Sequence, residues 1–393
     1  MSLILLLTLF LAPAYIFKFE VFGLPLNWLF VWIVIIWLVF CMYLFLSKRL
    51  EKFVNFIKQI DHRLLWLVSL FFLSGVISLF WQGFSPEKLG QFMVLFFQPI
   101  SLFFISSFIW HQHPASKPLI FFSLYFLLAL LGLLATLQYL TLWQLPPEYW
   151  GNNLEPKRAI AFFSHPNFYA LFSAPLLAFL LPDLGLKLKD LRKNFIVITS
   201  WIIGVVGLGL SLSRAGWLGF GLAGLIYLLF FADKTIKKIA VGIIATVIIL
   251  IISIPNFRWR LVLPFYGEKS AISRLNLWQS GMKAIKSSPV FGLGLKGFAN
   301  NYQTFQTNKT LDTHNFPHNI FLNFWVETGI MGVISFMGLI GLLIYNGLKS
   351  KQNTFQLGVA LCLITLISQG MFDNPYFKND LALMFWIIIS FAI

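Results

Sequence analysis

The sequence predicts an all-α, polytopic integral membrane protein with about 12 transmembrane helices and one long extracytoplasmic loop that contains short interfacial helices. Three observations point there. Of 393 residues, 59% are hydrophobic and only 11% charged, with 45 Phe and 14 Trp. That is more apolar surface than a water-soluble core of this size can hide. Apolar runs of about helix-crossing length also recur along the whole chain. Finally, Lys and Arg concentrate in alternate loops, the asymmetry that fixes orientation in a bilayer.

Taken in order, the expected spans are 3–19, 26–46, 64–81, 91–110, 118–140, 163–181, 195–212, 216–232, 239–254, 319–346, 357–371 and 380–393. The first lacks a basic amino-terminal flank and runs on into further spans, so a retained helix is expected rather than a cleaved signal. The run at 163–181 follows His165-Pro166-Asn167 and is the candidate for a re-entrant segment. With both termini cytoplasmic, the inside loops collect fifteen Lys and Arg and the short outside loops six. The whole of 1–393 is expected to form a single transmembrane domain. Its net charge of +15 sits in clusters between apolar runs, which suits anionic headgroups and topology rather than nucleic acid. Cys41 and Cys362 both fall in apolar stretches, so neither a disulfide scaffold nor a thiolate metal site is expected.

The long loop, 255–318, is too polar to span. After Ser273 as N-cap, Leu275, Trp278, Met282 and Ile285 recur at helical spacing, which predicts an interfacial helix. Pro289 and Gly292-Leu293-Gly294 then end it and turn the chain.

The polar groups left over carry the chemistry. Arg214 breaks two apolar runs, and a guanidinium at that depth requires an anion, a carbonyl or water. Arg274, with Arg158, Arg258 and Arg260 as weaker candidates, lies on the same expected side. Together they suit a lipid-borne diphosphate, whose oxygens match the guanidinium fork. His318 precedes an apolar helix, where the helix dipole disfavours imidazolium and leaves a ring nitrogen to accept a proton. An interfacial histidine that only bonds a loop carbonyl is the alternative. His314 is separated from it by Pro317, and two histidines alone are a poor metal site. Glu327, nine residues beyond His318, falls on the opposite helix face and is expected to meet another helix. Asp373 is the better placed carboxylate for a histidine.

Several runs then resemble one family: Phe163-Ser164-His165-Pro166-Asn167, Ser211-Leu212-Ser213-Arg214-Ala215-Gly216-Trp217, Arg274 with Trp278, Pro289-Val290-Phe291-Gly292-Leu293-Gly294, and Pro317-His318-Asn319-Ile320-Phe321-Leu322 with Glu327-Thr328-Gly329-Ile330-Met331-Gly332. In this order they are similar to the O-antigen ligase and polymerase superfamily over roughly 160–335. The resemblance implies a bacterial inner-membrane glycosyltransferase with a periplasmic site. Such an enzyme moves a glycan from undecaprenyl diphosphate to an acceptor hydroxyl, with inversion and without metal or cofactor. It implies His318 as the group that activates the acceptor, and Arg214 and Arg274 as diphosphate ligands. Arg158, His165, Asn167, Ser213, His314, Asn319 and Asp373 become the substrate-binding candidates. The sequence departs from the pattern at Ala215, inserted between arginine and glycine. Lipid A-core ligation, repeat-unit polymerisation and transfer to a protein hydroxyl all remain open as acceptor choices. The expected partners are the donor, the acceptor and membrane lipid, and the chain is expected to be a monomer. A transporter of lipid-linked or anionic solutes is the alternative of another class, although no internal repeat is visible.

Overall fold

The computed structural model describes residues 2–12, 17–21, 24–151, 156–253, 258, 269–306, 315–350 and 352–393. His314 and Arg260 lie outside the described residues. The chain forms two compact units: Met1–Pro118 with Arg274–Tyr345 and Gly370–Ile393, and Leu119–Ser273 with Asn346–Gln369.

In the first unit, α1 (Ser2–Leu11) leads into an antiparallel ribbon, β1 (Lys18–Val21) and β2 (Leu24–Asn27), with Lys18 opposite Asn27. Asn27 accepts the amide of Phe30 and so starts α2 (Trp28–Leu46). A short basic helix, α3 (Leu50–Gln59), joins it to α4 (His62–Phe80). Ser85 and Pro86 then open α5 (Pro86–Phe92), the usual cap followed by a proline at the first helical position.

Between α5 and α6 (Gln98–Gln112) the helix widens into one π turn, Met93–Phe97. Its cause is local. Pro99 has no N–H to give the Leu95 carbonyl four residues earlier. The Tyr376 hydroxyl donates to that carbonyl instead and itself accepts from Trp386 Nε1 at 2.9 Å. Phe71, Phe96, Phe324, Phe336, Tyr376 and Trp386 close around this point as the unit's aromatic core.

The second unit is built from α7 (Lys117–Thr141), α8 (Pro166–Phe179), α9 (Leu181–Lys187), α10 (Phe195–Leu210), α11 (Arg214–Phe230), α12 (Lys234–Ser253) and α16 (Thr354–Gly370). Its helices meet through glycine. A Cβ on Gly132 would come within 2.2 Å of the Ile203 carbonyl, and one on Gly358 within 2.4 Å of the Phe179 carbonyl. Close backbone approach of this kind is how helices associate where lipid removes the hydrophobic drive.

The remaining helices belong mainly to the first unit: α13 (Lys269–Ser287), α14 (Gly297–Phe305), α15 (Ile320–Lys349) and α17 (Asn379–Ile389). Helix α13 starts four residues before the expected Ser273 cap, so Arg274 stands inside it. Its buried stripe is Leu277, Ser280, Gly281, Ala284 and Ile285, whereas Leu275 and Met282 of the expected stripe are exposed. The small residues Ser280, Gly281 and Ala284 face the protein here together with Leu277 and Ile285.

The molecule is membrane-embedded and largely helical, but the expected count of about 12 spans is corrected. Among the described residues, five helices are long and apolar enough to cross, and six if α8 and α9 are one bent span. Three causes account for six of the seven expected spans not found, all but 239–254 in α12. The run at 3–19 is a ten-residue helix followed by a strand. The run at 163–181 bends by 50° between α8 and α9, beside Pro182 and beyond Pro175. Helices α10, α11, α16 and α17 fall short of the span length, and α17 is buried from Asp380 to Ile389, which makes it a core helix. Apolar composition does not distinguish a helix facing lipid from one facing protein.

Candidate functional site

The first unit assembles a polar cluster at the start of α15. Asn319 accepts the amides of Phe321 and Leu322 at 3.0 and 3.1 Å, which caps that helix, and its Nδ2 donates to the Met371 carbonyl at 3.1 Å. One side chain thus both starts α15 and ties it to the loop 371–378. His318, just before, takes a left-handed backbone with φ of 49°, unusual for a residue with a side chain. This conformation carries its ring to Asp373, with Nδ1 to Oδ1 at 3.0 Å. Trp278 donates to the His318 carbonyl at 3.3 Å, and Arg274 Nε donates to the Phe372 carbonyl at 2.9 Å. Both loops therefore hang from α13.

Burial alone would push the Asp373 carboxyl up. The charge and hydrogen bond of His318 outweigh it, with Arg274 and the Asn374 amide adding to them, and hold the group down at about 2. Asp373 is thus an anion at neutral pH. An anionic carboxylate on Nδ1 places the ring proton there and the lone pair on Nε2, which is the proton-accepting form of imidazole. The His318 side chain keeps 30% of its surface exposed, against 3% for Asp373. Among the described residues no group of three or more His, Cys, Asp or Glu is clustered as a metal-ligand set.

Glu327 has a different role in the same unit. It is fully buried and accepts the backbone amides of Lys296 at 2.6 Å and Phe298 at 3.2 Å, with Gln91 Nε2 at 3.3 Å. It therefore receives the orphan amides at the start of α14. Two residues later α15 breaks at Gly329 (φ 68°, ψ −171°). The opened backbone is taken up by the 289–294 turn: Leu293 N–H donates to the Val326 carbonyl at 2.6 Å and Ile330 N–H to the Val290 carbonyl at 3.0 Å. A Cβ on Gly329 would meet the Val290 carbonyl at 2.2 Å, and one on Gly292 the Val326 carbonyl at 2.4 Å. The Pro289–Gly294 and Glu327–Gly332 runs are the two halves of one backbone joint.

In the second unit, Ser211-Leu212-Ser213 turns α10 into α11. Leu212 is left-handed (φ 49°), and Ser213 caps α11 by accepting the Gly216 amide at 3.4 Å. Arg214 is then the first residue of that helix. Gly216 is needed because a Cβ there would press on Ala170 of α8 at 2.9 Å. Arg158 holds the turn from behind, with Nε donating to the Ser211 carbonyl at 2.9 Å and Nη2 to Asn167 Oδ1 at 2.6 Å. His165 caps α8, its Nδ1 accepting the Asn167 amide at 3.0 Å. The structure thus joins Arg158, Asn167 and the 211–213 turn, and it gives His165 a capping role. Arg258 is exposed.

Gln91 and Tyr376 were missed in the sequence. Gln91 offered one signal, an amide at the first position of the expected span 91–110.

The O-Antigen ligase family model matches residues 199–337. A Haemophilus influenzae protein described as uncharacterized is 26% identical over 199 residues, covering 46% of this chain and 50% of that protein. A putative polysaccharide ligase from Rickettsia felis is 28% identical over 223 residues, covering 48% of this chain and 53% of that protein. The chain spans about half the length of the curated relatives it matches. Arg214, Arg274, His318 and the Glu327–Gly329 joint all fall inside the matched segment, and over residues 199–337 the chain carries an O-antigen ligase family domain.

Proposed function

We propose that the protein is a ligase-type glycosyltransferase that moves a glycan from a polyprenyl diphosphate to an acceptor hydroxyl. The observation that supports this best is the His318–Asp373 pair at 3.0 Å with Arg274 anchored beside it, its histidine and arginine lying within the matched domain. His318 Nε2 takes the hydroxyl proton as the acceptor oxygen bonds to the anomeric carbon. The bond from that carbon to the diphosphate oxygen breaks, its electron pair leaves with the diphosphate, and the configuration inverts. Asp373 keeps the imidazole in the receptive tautomer and stabilises the imidazolium that forms. No step of this reading needs a metal, because a guanidinium can offset the charge developing on the departing diphosphate. For Arg214 the support comes from the second unit alone. It stands at the positive end of α11, in a turn fixed by Ser213 and Arg158, which is a setting for a phosphate ligand.

The reading also places the first-unit cluster on the extracytoplasmic side of a bacterial inner membrane. The loop 47–63, between the candidate spans α2 and α4, carries five basic residues, which makes it the cytoplasmic end. The other end of α4 meets the 289–294 turn, where Trp81 Nε1 donates to the Gly292 carbonyl at 3.1 Å.

The test uses purified protein in nanodiscs, supplied with undecaprenyl-diphosphate glycan and, separately, lipid A-core, a second lipid-linked glycan or an acceptor protein. A covalent product with released undecaprenyl diphosphate is expected, and its size and linkage identify the acceptor. No product with any acceptor, together with protein-dependent movement of the donor across liposomes, overturns the reading in favour of a transporter.

A further inference from the structure

Helix α3 carries a charged surface that the transfer chemistry does not use. It stands where three candidate spans end: α2 stops at Leu46 just before it, α4 starts at His62 just after it, and the span that includes α6 runs to Gln112. Phe53 packs edge-on against Phe40 of α2 and Phe108 of α6, with ring centroids 5.4 and 5.2 Å apart. Phe56 meets Phe108 and the ring of His111 at 5.6 and 5.1 Å. One side of α3 is thus fixed to the protein at the common end of the spans, the level of a bilayer boundary. The turn into the helix is fixed as well. Lys48 is left-handed (φ 52°), and the Arg49 amide donates to the Leu44 carbonyl at 2.9 Å, which closes the end of α2. The Arg49 guanidinium lies over the Tyr43 ring, 5.2 Å from its centroid, and donates to the Tyr43 hydroxyl, which holds its charge in place.

The rest of the helix surface combines two features. Leu50, Val54 and Lys58 recur at four-residue spacing and form a stripe beside the packed one. Leu50 and Val54 are exposed, as are Phe45 and Leu46 where α2 ends, so the apolar surface of the span continues past its end. Around it the charge is one-sided. Residues 47–63 hold two carboxylates, and Asp61 is engaged by Arg63 with Nη2 at 2.7 Å. Glu51 is then the one carboxylate in this segment against Lys48, Arg49, Lys52 and Lys58. Lys52 stands about 160° round the helix from Val54, on the far shoulder, and takes no part. A nucleic acid or an acidic peptide in water would meet the cations but would not cover Leu50 and Val54 at the boundary of a span. A phospholipid with an anionic headgroup brings a phosphate for the cations and acyl chains for the apolar pair.

We propose that α3 binds anionic phospholipid of the adjoining leaflet, with Lys48, Arg49 and Lys58 at the headgroup and Leu50 and Val54 among the acyl chains. Arg49 is the fixed point of this surface, because Tyr43 orients its planar fork before any lipid arrives. Lys48 and Lys58 reach the phosphate on flexible apolar stems from the two ends of the helix. Bound lipid then braces the ends of α2 and α6, which Phe53 ties together.

Charge and insertion are tested separately. The full chain is reconstituted in nanodiscs of phosphatidylcholine with one third phosphatidylglycerol, released into mild detergent, and its retained lipid is identified by native mass spectrometry. Phosphatidylglycerol is expected to exceed its share by about fivefold in the unmodified protein, and this enrichment should fall about threefold in Lys48→Gln/Lys58→Gln. Lys52→Gln/Lys286→Gln removes as much charge elsewhere and should keep the enrichment. Equal loss in the two double variants, or no enrichment in the unmodified protein, overturns the proposal. For insertion, a bimane is attached through Val54→Cys or Gln59→Cys in a Cys41→Ser/Cys362→Ala background. Phospholipid brominated along the acyl chain should quench the probe at position 54 about threefold more than the probe at position 59, which lies on the far side of the helix. Equal quenching at the two positions means that the stripe faces water and a soluble partner, and it also overturns the proposal. Neither readout needs turnover, so both stand apart from the transferase reading.

Discussion

Asp373 and Glu327 are both buried carboxylates of the first unit, yet their partners differ in kind. Asp373 faces a histidine ring, with an arginine adding its charge, while Glu327 accepts two backbone amides and the amide of Gln91. On the proposed reading, the partner that can change charge serves chemistry, whereas the backbone and side-chain amides around Glu327 serve architecture. Burial and residue type alone do not separate the two roles, and their hydrogen bonds do.

The largest effect that sharpens this contrast is expected at the reacting pair. His318→Ala should lower the transfer rate per folded molecule by about 10²–10⁴-fold, the usual worth of a general base, and should also lower thermal stability because the buried Asp373 loses its main partner. A variant with full turnover would remove His318 from the chemistry and reduce the pair to a loop tie.

Glu327→Ala should act on stability alone. It leaves the Lys296 and Phe298 amides without their carboxylate, at a cost of about 3 kcal/mol in stability, and activity should fall only as far as folded protein is lost. A stable Glu327→Ala protein without activity would place this carboxylate in the chemistry after all.

The smallest effect is a pH dependence. The folded Asp373 carboxyl lies at about 2, below its ordinary 3.8, so its contribution is fully present above about pH 4 and lost as the pH falls toward 2. Unfolding temperatures measured from pH 7 to pH 2 should show this loss in the unmodified protein and lack it in Asp373→Asn. A loss starting near pH 6 would instead mean that another group governs the cluster.

Much of the cluster was legible in the sequence because its members are polar residues in an apolar chain, where each needs a reason. His318, Arg274 and Asp373 stood out in that way, and the face argument sent Glu327 away from His318. Arg158 was legible as a charge but not as a hydrogen-bond donor to Ser211, since that pairing spans 53 residues. The count of spans failed for the converse reason. Helix α17 reads as apolar as a span, and only its packing shows that it faces protein. The π turn was also hidden, although Pro99 marks its cause.

The break at Gly329 also bears on bilayer thickness. Uninterrupted, the 30 residues of α15 would reach about 45 Å, far beyond a hydrocarbon layer of about 30 Å. The part after the break, Ile330 to Lys349, is 20 residues and by itself about 30 Å long, which matches that layer without tilt. Asn319, Asn323 and Glu327 all precede the break. A single glycine thus lets one helix end its lipid-matched length and continue as a protein-packed segment, where polar side chains avoid the cost of hydrocarbon.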